Sequence, residues 1–526
     1  MITIGLDFGT HQTKVCIEDR RDRLHPIYSF LPFINNAGEK TFILPSIIQI
    51  NSDETLSYGF VDESISKYGA KYKVAARPAF PKKSDFPFKE INEDLLPPCP
   101  LRPGISEVMP EGLNEKEAAE WIKKKEIRDK KYDSEVAAWE RKCNMIRNKI
   151  NGENSFVEKQ YQSSVREWYK WQNLNAARYR LIYRYFKQAS FSDYNWNCTI
   201  DSDLLSIWYL ANILFDIEER YGTDFAVQMG IPTGAEKFQF KKYKAVILLL
   251  SAYRLVEEVF QNDKEAFLKT KIGDLIKLTE IVTYDKEKKE EYSILVFPEA
   301  YASLKSLTYR EKIEPGMSLM IDIGGGTTDI SFFTIDKKAK KPRIYNYLSI
   351  PYGINYIYET AHHSSMDKLE VRLNLDDKSI NKKKLDGAVK QYNSIVTKVC
   401  HDLIEALFVK FQATNFQRHK LNAALMGRPV FYSGGGSTYK FLRNTIDGKF
   451  SDVNHINPKV WEGMQIQEIN EVCKVCPIVS TALGLSISEI DDRNIELYSM
   501  DEIFKNMRNE EQIRNAYEYE DSRGAI

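Results

Sequence analysis

The stretch that most constrains this chain is Leu319-Met-Ile-Asp-Ile-Gly-Gly-Gly-Thr-Thr-Asp329. An apolar strand runs into three glycines, two threonines and an aspartate. Ile330-Ser-Phe-Phe-Thr-Ile335 then reads as a second strand, so the stretch predicts a hairpin with a glycine turn. Glycine allows backbone conformations closed to other residues and lets the main chain approach a ligand. Successive N–H groups in such a turn form a nest for an anion. Asp322 before the turn and Asp329 after it could hold a hydrated divalent cation. A purely structural hairpin asks for one glycine, not for Gly-Gly-Gly-Thr-Thr-Asp.

The N-terminus repeats the plan. Ile2-Thr-Ile-Gly-Leu-Asp-Phe-Gly-Thr-His-Gln-Thr-Lys-Val-Cys-Ile17 is a strand, Asp7, Gly9-Thr10, and a second strand with Thr13, Val15 and Ile17 alternating. Two such hairpins far apart in one chain predict two similar lobes facing one phosphate chain. A third glycine turn, Ser433-Gly-Gly-Gly-Ser-Thr438, follows the apolar Val430-Phe-Tyr432.

Together these stretches resemble the actin and DnaK-type chaperone ATPase superfamily, which also contains sugar kinases. Gly5-Leu-Asp-Phe-Gly-Thr10 is similar to its first phosphate motif and Ile321 to Asp329 to its second. Gly434, Gly435, Gly436 and Ser437 look like its adenosine motif. Phe297-Pro-Glu-Ala-Tyr-Ala-Ser303 and Pro477-Ile-Val-Ser-Thr-Ala-Leu-Gly-Leu485 resemble its two connecting helices. The resemblance implies an α/β fold of two duplicated ribonuclease-H-like lobes, residues 1–312 and 313–526, the second with a small helical subdomain at 366–425 and a connecting helix at 477–490. The chaperones' β-rich peptide-binding domain has no counterpart after Ser486. The motif style is closest to the chaperones.

The resemblance also implies ATP or ADP with Mg²⁺. Gly9, Thr10, Gly324, Gly325, Gly326, Thr327 and Thr328 would cradle phosphates. Asp7 and Asp322 would hold Mg²⁺ mainly through its waters, because that ion dehydrates reluctantly. Asp329 would support the metal site, and Glu299 would orient the attacking water. A glutamate at the start of a helix is also favoured by the dipole alone. Tyr439 stands where chaperones usually carry an arginine and could stack on adenine. His11 could contact phosphate or sit in a surface turn. Lys82 and Lys83 fall where chaperones place a lysine near the γ-phosphate, without a recognisable motif around them.

Residues 113–192 change character. Glycine and proline nearly vanish, and Ala118, Ile122, Tyr132, Val136, Trp139, Cys143, Ile146 and Ile150 lie on a 4-3 stripe. Asn151-Gly-Glu-Asn154 interrupts it. A second stripe holds Tyr161, Val165, Trp168, Tyr179, Ile182 and Phe186. The pattern predicts an antiparallel helical hairpin inserted in the first lobe. Its second arm is basic and aromatic, which suits packing or protein docking better than nucleic acid.

Composition restricts the rest. Of 526 residues, 43% are hydrophobic and 28% charged, with Lys+Arg equal to Asp+Glu, so bulk charge points to neither nucleic acid nor a membrane surface. A core strand at the N-terminus leaves no room for a signal peptide. Seven scattered cysteines, with one CxxC at Cys473–Cys476, fit a reducing compartment such as the cytoplasm. The functions expected are a chaperone-like ATPase switch that hydrolyses ATP slowly and acts on a protein partner through the insertion, an actin-like filament former that self-assembles, or, less well matched, a sugar kinase.

Overall fold

The computed structural model describes residues 1–526 apart from 23, 62–79, 93–94, 102–108, 177–180, 192–195, 197, 199, 233, 235–236, 284–292, 308–315, 337–340, 363–373, 444–451, 456–460, 462, 489–496, 498 and 524–526. Met1–Gly69, Arg180–Trp196 and Ile200–Ile526 form one compact unit, here the core. Ala70–Tyr179 with Asn197–Thr199 form another.

The core is built on two sheets. In the first, β1 (Ile2–Asp7) pairs antiparallel with β2 (Gln12–Asp19), and β2 with β3 (Ile27–Phe30). On the other side of β1 lie β4 (Phe225–Ile231) and then β5 (Ile294–Pro298), both parallel to it. The second sheet has the same plan. β6 (Ser318–Ile323) pairs antiparallel with β7 (Thr328–Asp336), and β7 with β8 (Lys341–Ile350). β9 (Pro429–Ser433) and then β10 (Asp452–His455) run parallel on the far side of β6. β1 and β6 are central and buried on both faces. That is why they read as apolar runs rather than alternating ones.

Helices cover these sheets. Asp201 caps α3 (Ser202–Tyr221) through the Asp203 amide, and Gly222 at φ +74° ends it. The apolar run Ala245–Leu250, apart from half-buried Ile247, is buried inside α4 (Phe238–Arg254). In the stretch 263–292, helix Ile272–Thr283 places Thr279 where it accepts the indole N–H of buried Trp208 at 2.7 Å. Residues 284–292 lie outside the described residues. α5 (Glu299–Lys305) and α9 (Cys476–Ser486) occupy the two stretches likened above to connecting helices, the second ending at Ser486 rather than 490. They pack so closely that a Cβ at Gly484 would lie 1.8 Å from the Ala302 carbonyl oxygen. Over the second sheet lie α6 (Ile354–His362), α7 (Lys382–Lys410), α8 (Asn415–Leu425) and α10 (Asp501–Arg523), joined in one apolar core with β6 and β7. Among the described residues no helix is long and apolar enough to cross a membrane.

The second unit corrects the expected hairpin. One helix, α1 (Glu115–Ala176), runs unbroken for 62 residues, about 90 Å at 1.5 Å per residue. Gly152 lies inside it. A mid-helix glycine costs only about 1 kcal/mol against alanine, so it does not force a turn. The stripe packs not on a second helical arm but on the proline-rich segment preceding the helix. Phe80 meets Trp168 edge-on at 4.9 Å, Phe86 meets Tyr161 at 5.4 Å, and the Trp139 indole donates to the Pro97 carbonyl at 2.7 Å. Ile122, expected on the buried stripe, is exposed.

The insertion boundary moves as well, from 113–192 to 70–179. Strand Ile182–Tyr183 pairs with Ile48–Ile50, and α2 (Phe186–Phe191) packs in the core. Phe186 is wholly buried between Phe8 at 6.1 Å and Tyr209 at 5.4 Å. The end of the second stripe is therefore apolar because it belongs to the core. Tyr179 lies outside the described residues.

Candidate functional site

The first hairpin places Asp7 at the end of β1, in register with Lys14 on β2, and Lys14 Nζ donates to Asp7 Oδ2 at 2.8 Å. Both are buried. The turn between them is too tight for a side chain at Gly9, whose Cβ would lie 2.0 Å from the Gln12 carbonyl oxygen. Ser46 supports it from behind. Its hydroxyl donates to the Gly9 carbonyl at 2.7 Å and lies 3.0 Å from the Thr13 hydroxyl. Thr10 and His11 line the same side of the cleft.

The second hairpin turns through Gly324–Thr327, closed by the Gly324 amide on the Thr327 carbonyl at 2.9 Å. The first turn of α6 holds it from behind. The amides of Ile354 and Asn355 donate to the carbonyls of Gly324 and Gly325 at 3.1 and 2.9 Å. Gly324, Gly325, Thr327, Asp322 and Asp329 line the cleft. Thr328 does not. Its side chain is buried and its hydroxyl contacts the Tyr352 carbonyl and the Tyr392 hydroxyl, each at 2.7 Å. Residue 328 is the first of β7, and alternation along a strand turns it to the face opposite Asp329.

The connecting helices fix Asp322. Ser303 of α5 and Thr481 of α9 donate to Asp322 Oδ2 at 2.6 and 3.0 Å, and their hydroxyls lie 2.9 Å apart. The third glycine turn abuts the same carboxylate. Gly434 has φ +78°, and a Cβ there would lie 2.3 Å from Asp322 Oδ1. Its amide donates to the Pro477 carbonyl at 2.8 Å, tying the turn to the start of α9. Gly434, Gly435 and Tyr439 line the cleft. Gly436 and Ser437 instead face inward, Gly436 against Ile323 and Ser437 with its hydroxyl on the Gly434 carbonyl at 2.8 Å. Tyr439 is held by the Leu375 amide, which donates to its hydroxyl at 3.2 Å.

Asp7, Glu299, Asp322 and Asp329 thus share one cleft of about 220 Å³ with Lys14 and Lys187. Burial raises Glu299 above the ordinary carboxylate range. Lys187, its ion-pair partner, pulls it back, and Asp7 and Asp322 push it further up. Burial likewise raises Asp322 against the hydroxyls that favour its ionised form. Asp329 stands well above its ordinary range through burial and then the charges of Glu299 and Asp322. Its Oδ1 is buried without a hydrogen-bond partner. Among the described residues no three His, Cys, Asp or Glu side chains converge closely enough to ligate an ion directly.

Lys187, Lys14, Ser303 and Thr481 are the site residues that sequence reasoning missed. Lys14 had a signal: a lysine two residues into the second strand, directly after the Asp–Gly–Thr turn. Ser303 and Thr481 lie within the two connecting-helix motifs. Lys187 had none, because only the return of the chain into the core after α1 brings it to Glu299. Lys82 and Lys83 do not line the cleft, and Lys83 pairs with Glu158 at 2.9 Å within the second unit.

No protein-family model matches the chain, and no curated protein matches it. Among solved structures it is similar to a chain described as the whole structure of a 15-stranded ParM filament from Clostridium botulinum. The identity is 15% and the TM-score 0.29, over 51% of this chain and 66% of that one. It is also similar to a pCBH ParM non-polymerisable quadruple mutant, at 17% identity and TM-score 0.30, over 50% of this chain and 67% of that one. The match thus spans slightly under two thirds of the first of these chains.

Proposed function

We propose that the core is an actin-superfamily ATPase, two duplicated ribonuclease-H-like lobes around a magnesium nucleotide, that hydrolyses ATP slowly as a conformational switch. One observation carries the reading. Two sheets of the same strand order bring an Asp–Gly–Thr turn each, Asp7–Thr10 and Asp322–Thr327, to one cleft with the Gly434–Tyr439 turn at its edge.

The donor set fits the cofactor. Four buried carboxylates against two lysines, with Asp329 Oδ1 unpartnered, leave a charge that a hard divalent cation would balance. Asp7 and Asp322 would hold Mg²⁺ through its waters, with Asp329 behind them. Bound Mg²⁺ would neutralise charge on the transferring phosphoryl group. The backbones of Gly9–Thr10 and Gly324–Thr327 would position the phosphates from opposite sides, with Lys14 and Lys187 as the cations nearest them. Glu299 would orient the attacking water once phosphate draws Lys187 away from it, and Tyr439 would pack on the base. Because the chain re-enters the core through α2, which carries Lys187, the nucleotide state would reach the long-helix unit along the chain, and a protein partner would read it there. Calorimetry with ATP and Mg²⁺ is the test. Absence of heat and of thermal shift at millimolar nucleotide overturns the reading.

The same core suits a second reading, self-assembly, since one of the two similar ParM chains is a filament and the other a non-polymerisable mutant. ATP-dependent sedimentation separates the two. A sugar-phosphorylation assay tests the metabolite-kinase alternative.

A further inference from the structure

The tip of the second hairpin does more than face the first: it is wedged into it. A Cβ at Gly326 would lie 2.8 Å from Gln188 Oε1 and 2.9 Å from Thr10 Cγ2. Thr10 and Gln188 both belong to the side of the first sheet. Gln188 sits on α2, anchored there by Phe186 and by the Ser190 hydroxyl 3.2 Å from that of Ser206 on α3. Gln188 reaches the second side twice. Its Nε2 donates to the Gly326 carbonyl at 3.4 Å, and its Oε1 accepts from Asn355 Nδ2 at 3.0 Å. Gln188 and Asn355 are both buried, at 5% and 6% exposure. Asn355 is also the residue whose amide holds the Gly325 carbonyl. One side chain from the first half therefore grips both the glycine turn and the helix that supports it.

We propose that Gln188 is a clasp: a positioning residue that holds the second phosphate turn against the first and sets how readily the cleft opens. A neutral amide is suited to this. It donates and accepts at once, and it brings no charge to a cleft already crowded with carboxylates. Its neighbour Lys187 holds Glu299, so opening at Gln188 would also shift the group facing the candidate water-orienting carboxylate. The opening of the cleft can be followed without any nucleotide. Its effect on nucleotide release rests on the function proposed above.

The test is amide hydrogen exchange on the full chain, parent against Gln188→Ala, followed by release of a fluorescent ATP analogue. Removing the amide takes from the Gly326 carbonyl and from Asn355 Nδ2 the partner that Gln188 gives them, while Asn355 Oδ1 keeps the Tyr356 amide. The amides of residues 324–327 and 354–355 should then exchange about tenfold faster or more, while those of β1 and β2 keep the parental rate. Analogue release should accelerate by a similar factor. A merely structural defect would speed exchange in β1 and β2 as well, and that result overturns the clasp. So does parental exchange at 324–327. If Gln188→Ala does not fold, Gln188→Met keeps the volume, removes both hydrogen bonds and carries the same expectation. A parent that binds no analogue overturns the nucleotide function, and the exchange result still decides the clasp.

Discussion

Asp329→Asn should stabilise the core in the absence of nucleotide and cost it the response to Mg²⁺. Asp329 is buried, has one oxygen without a partner, and faces Glu299 and Asp322. Its proton is bound more tightly in the folded chain than in the unfolded one. The stability it contributes is full below the ordinary carboxylate range and is lost as pH rises through its raised folded value. At pH 8 the parent therefore bears the cost of either a desolvated, crowded charge or a proton held against the solvent, and asparagine removes that cost at nearly constant shape. Relief of one poorly satisfied buried charge amounts to roughly 1–3 kcal/mol. At a little over 1 °C per kcal/mol for a core of roughly 400 residues, the melting temperature should rise by about 1–3 °C. The assay is thermal unfolding of parent and variant at pH 8 and near pH 4 in chelator. The gap should be present at pH 8 and close near pH 4, where the parent carboxyl is protonated too. Adding MgATP at pH 8 should reverse the order, because the nucleotide-bound parent uses the charge the variant lacks. A variant equally destabilised at both pH values would show that a partner holds Asp329 as an anion, and the electrostatic account would be wrong.

Other substitutions separate the parts of the site. Glu299→Gln should keep MgATP affinity within a few-fold and lower single-turnover hydrolysis by about 100-fold or more, read by quenched flow. Gly434→Ala should abolish the calorimetric heat with ATP. It forces φ +78° on an L-residue, about 1–2 kcal/mol, and drives a methyl onto the Asp322 carboxylate. Thr481→Val keeps shape and removes one donor from Asp322, so Mg²⁺-dependent affinity should fall about tenfold by titration. Trp168→Ala should destabilise the long-helix unit by about 3–5 kcal/mol, seen as a lower helix melt, with ATP binding by the core unchanged.

The two hairpins were legible in the sequence because two independent signals coincide there. The strand runs stop at glycines, and the residues beside the glycines are ones a simple turn does not need. The segments likened to connecting helices were read from resemblance alone; the structure adds the small residues Ala302 and Gly484 at their close crossing and the hydroxyls of Ser303 and Thr481 on Asp322. Gly326, Thr328, Gly436 and Ser437 were expected at the cleft and do not line it, because a motif gives composition, not the side to which each residue turns.

The failure at residues 113–192 has a more specific cause. Asn151-Gly-Glu-Asn154 has the composition of a turn, and composition outweighed phase. Yet the buried residues Cys143, Ile150, Val157 and Trp168 keep one helical phase straight through that stretch, at separations of two, two and three turns. A hairpin has no reason to preserve phase across its turn, whereas a continuous helix must. Continuity of phase was therefore the available evidence for one helix. Beyond Ala176 the same stripe fails for the opposite reason. Ile182 and Phe186 prolong the 4-3 spacing by coincidence, while their burial comes from a sheet and from Phe8 and Tyr209, which are remote in sequence. Local periodicity cannot distinguish a side chain buried by its own helix partner from one buried by the core. Lys187 and Gln188, the residues that bring α2 to the candidate site, lie where that distinction matters.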